Sequence, residues 1–271
     1  MNAKLKFLLK FPEIKEKNRL FGLYRGFVNC LDNQSALELL VNDETTGFKA
    51  EAIIKKIKYS AEAHPPKKNN LLIKKAINHN NGLKWPNSQR IAKVLFGISP
   101  YIANNEKSKL IRYFLNSKYN SFRYYGYEII EKNNLKTKFK TDLVNVWHRY
   151  PDNWVLGLLI DFLTPKELFS MFEVAEEVLA ESEYDFEILK LRNRYYSKII
   201  NFIPDRLREL MSEEPVSYVY VMKYANRKIP KDTAIKIYKN NKNNSVLSCY
   251  GELGQWDVLE KIFNKILPAT R

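Results

Sequence analysis

The sequence predicts an all-α protein, a right-handed α-solenoid assembled from degenerate helical repeats. Three observations carry that expectation. The chain has 271 residues, 45% hydrophobic and 28% charged, which is enough length and apolar content to bury a core. Only nine residues are glycine, as expected where helices dominate, because glycine is costly inside them. Helix-like stretches with similar openings also recur at a near-constant interval. The stretch at 120–163, "NSFRYYGYEIIEKNNLKTKFKTDLVNVWHRYPDNWVLGLLIDFL", reads as helix, break, helix, break, helix, and this pattern returns along the chain.

Taken in order, the first helix is predicted over Pro12–Leu31. Proline suits a first helical turn, and Leu20, Tyr24, Phe27, Val28 and Leu31 follow at helical spacing. A second helix is expected over Ser35–Val41 and a third over Phe48–Ala63, with Ile53, Ile54 and Ile57 beside Lys55, Lys56 and Lys58. His64-Pro65-Pro66 ends the third, since a residue before proline is pushed out of the helical region. Leu71–Ile77 reads as a short helix flanked by Lys67, Lys68, Lys74 and Lys75.

From residue 87 six segments open alike: "NSQRIAKVLFGI", "NSFRYYGYEII", "DNWVLGLLIDFL", "YDFEILKLRNRYY", "VSYVYVMKYA" and "NSVLSCYGEL", at offsets of 33, 32, 32, 32 and 28 residues. Several begin with Asn, Ser or Asp, which accept hydrogen bonds from the free N–H groups of a first turn. Shorter helices lie between them, with Pro165, Pro204 and Pro230 at the turns. One helix pair per ~30–40 residues is the mark of an α-solenoid, whose pairs stack because none buries both faces alone. The spacing fits degenerate HEAT-like helical repeats better than tetratricopeptide repeats. The competing expectation is an irregular helical bundle. Residues 1–86 are expected as an N-terminal helical cap or subdomain and 87–271 as the repeat array, together one continuous domain. "WDVLEKIFNKILPATR" reads as the C-terminal cap, with Trp256, Leu259, Ile262, Phe263 and Ile266 at helical spacing.

The charge is uneven. The net charge is +15, yet residues 1–150 carry 28 Lys and Arg against 12 Asp and Glu, whereas residues 151–271 carry 17 against 18. The 152–187 segment holds ten acidic residues and one lysine. Such a polarised chain attracts an anionic partner to one side. Cys30 and Cys249 make neither a disulfide framework nor a metal cluster. His64, His79 and His148 form no metal-ligand motif, and no phosphate-cradling glycine loop or nucleophile elbow is present, so no metal, cofactor or catalytic residue is expected. The N-terminus lacks a signal-peptide pattern and no apolar run has spanning length, so a cytoplasmic location without membrane contact is expected.

Bases and aromatics interleave between residues 107 and 140. Lys107, Lys109, Arg112, Lys118, Arg123, Lys136, Lys138 and Lys140 are the candidate nucleic-acid-binding residues, with Lys132 among them in sequence. Tyr113, Phe114, Tyr119, Phe122, Tyr124, Tyr125 and Tyr127 lie between them. Cations neutralise phosphates and aromatic faces stack on bases, although aromatics at this spacing also serve as helix core. Trp147, Trp154, Asp152 and Asp161 crowd together, and aromatics beside a carboxylate are the ingredients of a base pocket. A packed tryptophan and a capping aspartate explain Trp154 and Asp152 more simply.

The passage "FLNSKYNSFRYYGYEIIEKNN…LVNVWHRYPDNWVLGLLIDFL" resembles, over about 50 residues, the middle of the bacterial alkylpurine DNA glycosylases built from HEAT-like repeats. The resemblance implies a curved shape and a basic, DNA-facing concavity. The family's catalytic aspartate follows the tryptophan of "DNW" by four positions; here that position is Leu158 and the nearest carboxylate is Asp161. The leading expectation is therefore a non-catalytic α-solenoid whose basic N-terminal half binds an anionic partner, nucleic acid or an acidic protein surface. The alternatives are a glycosylase-like enzyme using Asp161 with Trp154 or Trp147, and an interaction scaffold or immunity-type inhibitor using the acidic 152–187 segment.

Overall fold

The computed structural model describes residues 3–13, 19–80, 83–180 and 185–266. Among these residues the chain forms eighteen α-helices and no strand. It divides into two compact units, Met1–Leu135 and Lys136–Arg271.

The first unit contains α1 (Ala3–Leu9), α2 (Arg19–Asn29), α3 (Asn33–Leu40), α4 (Gly47–Ala63), α5 (Pro66–Asn80), α6 (Asn87–Ile98), α7 (Asn104–Leu115) and α8 (Asn120–Lys132). Alternate helices pack side by side: α2 on α4, α4 on α6 and α6 on α8. The other helices back this row, with α3 on α4, α5 on α6 and α7 on α8. The apolar periods explain the contacts. Ile53, Ile57 and Ala61 of α4, and Ile91, Leu95 and Ile98 of α6, are fully buried along one stripe of each helix. The α7–α8 pair is especially close at Gly126, where a Cβ would lie 3.1 Å from Leu115 Cδ2 and 3.2 Å from Phe114 Cβ. The buried Lys49 ammonium donates to Leu9 O at 3.3 Å and Phe11 O at 2.5 Å, a cation at the end of α1 where carbonyls lack helical partners.

The second unit contains α9 (Lys140–Arg149), α10 (Asn153–Leu159), α11 (Pro165–Phe169), α12 (Phe172–Ala180), α13 (Phe186–Ile199), α14 (Pro204–Glu213), α15 (Pro215–Tyr224), α16 (Lys231–Asn241), α17 (Asn244–Glu252) and α18 (Trp256–Ile266). Here α10, α13, α15 and α17 form the row, and α9, α12, α14, α16 and α18 back it. Buried tyrosines tie the helices together: Tyr195 donates to Leu168 O at 2.8 Å and Tyr250 to Ala234 O at 2.9 Å.

The openings expected at 87, 120, 152, 216 and 244 coincide, within a residue, with the starts of α6, α8, α10, α15 and α17. The helix expected at 184 begins at Phe186, and Tyr184 lies outside the described residues. Asp152, Asp185 and Asn243 cap their helices through backbone N–H groups at 2.8, 2.8 and 2.9 Å. Asn87 and Asn120 do not cap; Asn87 instead donates to Val41 O and Asp43 Oδ1.

Several expectations differ from the fold. The division falls at 135, so the expected boundary at 86 lies inside the first unit, between the packed helices α5 and α6. The Pro12–Leu31 helix begins only at Arg19 among the described residues, and its expected residues 14–18 lie outside them. The helices α1, α11 and α12 have no counterpart in the repeat reading. At the C-terminus Val258 and Ile262 are buried, but Trp256 is 76% and Phe263 59% exposed. They line a cavity of about 530 Å³ with Leu247 of α17 and Leu259; the Ile266 side chain lies outside the description.

Candidate functional site

The loops before α6 and α8 bring together an aromatic and basic cluster in the first unit. Trp85 stands in the turn entering α6 and is 52% exposed. Pro86 O accepts from Gln89 N at 3.1 Å, and the Asn87 amide pins the helix start to the α3–α4 loop. Tyr119 stands in the bend entering α8, its ring centroid 6.2 Å from that of Trp85 with 42° between the planes. Its other side leans on Phe122 at 5.4 Å. Lys118 reaches over the Tyr119 ring at 5.3 Å, and Lys84 is exposed next to Trp85 in the chain.

Arg123 builds this bend rather than facing solvent. It is 3% exposed, and its guanidinium donates to Ser117 O at 3.1 Å and to Asn120 Oδ1. Ser117 Oγ also accepts from Tyr119 N at 3.2 Å. Arg123, expected to meet a phosphate, is placed by the structure in the Ser117–Asn120 turn, where its guanidinium is 3% exposed.

The other expected binding residues are dispersed. Lys107, Lys109 and Arg112 lie on α7, while Lys136, Lys138 and Lys140 belong to the second unit. Lys107 donates to Asn133 Oδ1 at 3.1 Å and Lys109 pairs with Glu106 at 3.0 Å. Lys136 pairs with Asp161, Lys140 pairs with Glu167 at 3.0 Å, and Lys138 lies 5.8 Å from the Phe139 ring centre. Lys118 is the one member in the Trp85 cluster.

A second gathering of bases lies on the α4–α6–α8 row, where spacing in sequence gave no warning of it. Lys55, Arg90 and Lys93 line a cavity of about 460 Å³ between α4 and α6, with Glu51 bridging to Lys55 at 2.9 Å. Burial lowers the Arg90 pKa, against the opposing field of Asp43. The stem of Lys58 runs beside Gly97 of α6. Phe96 stacks on Tyr125 at 4.7 Å, and Lys132 stands 5.7 Å from the Phe96 centroid. The lysines of α5 are on the backing helices instead, and Lys56 turns inward to Asn33 Oδ1 at 2.5 Å. The lysines of residues 55–75 are thus split between the two layers.

The catalytic alternative finds no support around Asp161. This exposed carboxylate sits in the turn after α10 and accepts from Arg194 at 2.8 Å as well as from Lys136. Trp147 is buried core. The acidic segment is likewise committed to the fold. Asp152 and Asp185 cap helices, Glu167 closes a capping box with Thr164, and Glu176 accepts from Tyr196 at 2.5 Å and pairs with Arg206 at 3.5 Å. Glu173 and Glu177 remain exposed on α12, and Glu181 and Glu183 lie outside the described residues.

Among the described residues no group of three His, Cys, Asp or Glu is placed to hold a metal ion, and no helix is long and apolar enough to cross a membrane. Comparison with family models, curated proteins and solved structures finds no match to this chain.

Proposed function

We propose that this chain is a non-catalytic binding protein, a right-handed α-solenoid of degenerate HEAT-like repeats whose basic first unit grips nucleic acid. The observation that carries the reading is charge. Residues 1–135 hold 24 Lys and Arg against 11 Asp and Glu, a net of +13, and residues 136–271 hold 21 against 19, a net of +2. The carboxylates of the first unit are too few to neutralise it, and Lys55, Lys58, Arg90, Lys93 and Lys132 gather on one helix row. A field of this kind draws in a phosphate backbone whatever its sequence. The row packing of alternate helices and the recurrence near 32 residues support the repeat architecture.

The test is binding of the full chain to labelled duplex DNA, single-stranded DNA and RNA across a salt series, beside an acidic polypeptide. Each neutralised phosphate contributes a slope of about −0.9 in log K against log salt on duplex DNA. Lys58→Ala with Lys93→Ala is expected to flatten the duplex slope by about 2. Binding confined to the acidic polypeptide, or none near physiological salt, refutes the nucleic-acid reading.

A further inference from the structure

Trp85 is a large exposed ring of the first unit, with Lys84 next to it in the chain and Lys118 over the neighbouring Tyr119 ring. We infer that Trp85 is a stacking platform for an unpaired base of single-stranded nucleic acid, with Lys118 and Lys84 holding the adjoining phosphates. This rests on the nucleic-acid reading above and narrows it to a strand type.

Tryptophan left half in water forgoes the burial free energy its ring would gain in a core. Scattered exposed apolar residues need no explanation, but this one is held from both sides. Asn87 and Pro86 fix the backbone beneath Trp85, and Arg123 fixes the bend that carries Lys118 and Tyr119. Tyr119 meets Trp85 at a 42° tilt and 6.2 Å, and Trp85 still remains 52% exposed. Phe96 of α6 differs: it is covered by Tyr125 on one side and approached by Lys132.

A paired base in a duplex is already stacked on its neighbours, so a ring on a protein surface can reach only bases outside a helix. Ammonium groups beside the ring meet the phosphates on either side of a stacked base, and stacking is tolerant of base identity because every base has a π-face. The ligand class is therefore a single strand of weak sequence preference.

The experiment measures anisotropy of labelled oligothymidylate, a labelled blunt-ended DNA duplex and unlabelled heparin as competitor, against the full-length protein. Trp85→Ala is expected to weaken oligothymidylate binding by about 5- to 150-fold, the range of base–aromatic stacking. Trp85→Phe is expected to restore most of it. Duplex and heparin affinity are expected to stay within about twofold, because they report phosphate and sulfate charge alone. Circular dichroism of both variants checks that the fold is retained. Nucleic-acid binding that survives in Trp85→Ala with unchanged oligothymidylate affinity overturns the stacking site and leaves the charge-based reading standing. Absence of binding by the parent protein overturns both.

Discussion

Replacing Arg123 by methionine separates a phosphate ligand from a structural cation. Methionine keeps an unbranched apolar stem and removes the guanidinium. The lost interactions are donations to Ser117 O and Asn120 Oδ1 from a side chain only 3% exposed. Hydrogen bonds from a charged donor are worth about 1.5–3 kcal/mol each. Part of that is returned, because methionine no longer carries a charge out of water. The net expectation is a loss of about 1–3 kcal/mol, from the acceptors left without their donor. Urea unfolding measures it. Duplex DNA binding across salt measures the other half: Arg123→Met is expected to leave the slope unchanged, whereas exposed Lys118→Ala lowers it by about 1 and changes stability by less than about 0.5 kcal/mol. Unchanged stability together with a slope reduced by about 1 in Arg123→Met refutes the assignment of Arg123 to the Ser117–Asn120 turn.

Gly126→Ala brings a methyl to 3.1 Å from Leu115 and 3.2 Å from Phe114 Cβ. The helix-propensity gain of about 1 kcal/mol competes with an overpacking cost of about 1–3 kcal/mol. Because Phe114 Cβ cannot swing away, net destabilisation in urea is expected, and a more stable variant contradicts the close α7–α8 approach. Thr164→Ala opens the capping box of α11 and is expected to cost about 1 kcal/mol. The Thr164 N–H, Lys140 and the Thr164 hydroxyl hold the Glu167 pKa down to about 2. Its contribution is therefore full above the ordinary carboxylate range near pH 4.5 and fades as pH falls toward 2; Glu167→Gln should weaken this acid-limb dependence in a pH series of unfolding. Burial raises the pKa of Tyr24, Tyr195, Tyr196 and Tyr250, Tyr196 with added help from Glu176. Unfolded tyrosine ionises near pH ~10, so stability is full below that and falls as pH rises further. Tyrosines exposed to solvent ionise in a folded protein, but the absorbance step that Tyr195→Phe removes should coincide with unfolding; that step appearing in a still-folded protein contradicts the burial of the Tyr195 ring.

Helix positions were largely legible, because the signals that set them are local. Apolar spacing marks the stripes of α4 and α6, and Asp152 and Asn243 stop the preceding chain by capping the next helix. The α11–α12 pair was missed because a five-residue helix leaves too little periodicity to read. The candidate site was legible only in part. Lys118 and Tyr119 stood out by composition, whereas Trp85 sits 34 positions away in a loop without period.

The all-α character, most helix starts and the bias of positive charge toward the N-terminus follow from propensity, capping and charge, which belong to residues and their near neighbours. Which cations meet solvent depends on tertiary packing. Arg123 and Lys118 are five residues apart, yet one is enclosed by the Ser117–Asn120 bend and the other is exposed and leans over the half-buried Tyr119 ring. The row packing likewise brought Lys58 of α4 beside Gly97 of α6, and the loops brought Tyr119 to Trp85. Helical spacing states which residues share a face of their own helix; what covers that face is set by neighbours distant in the chain.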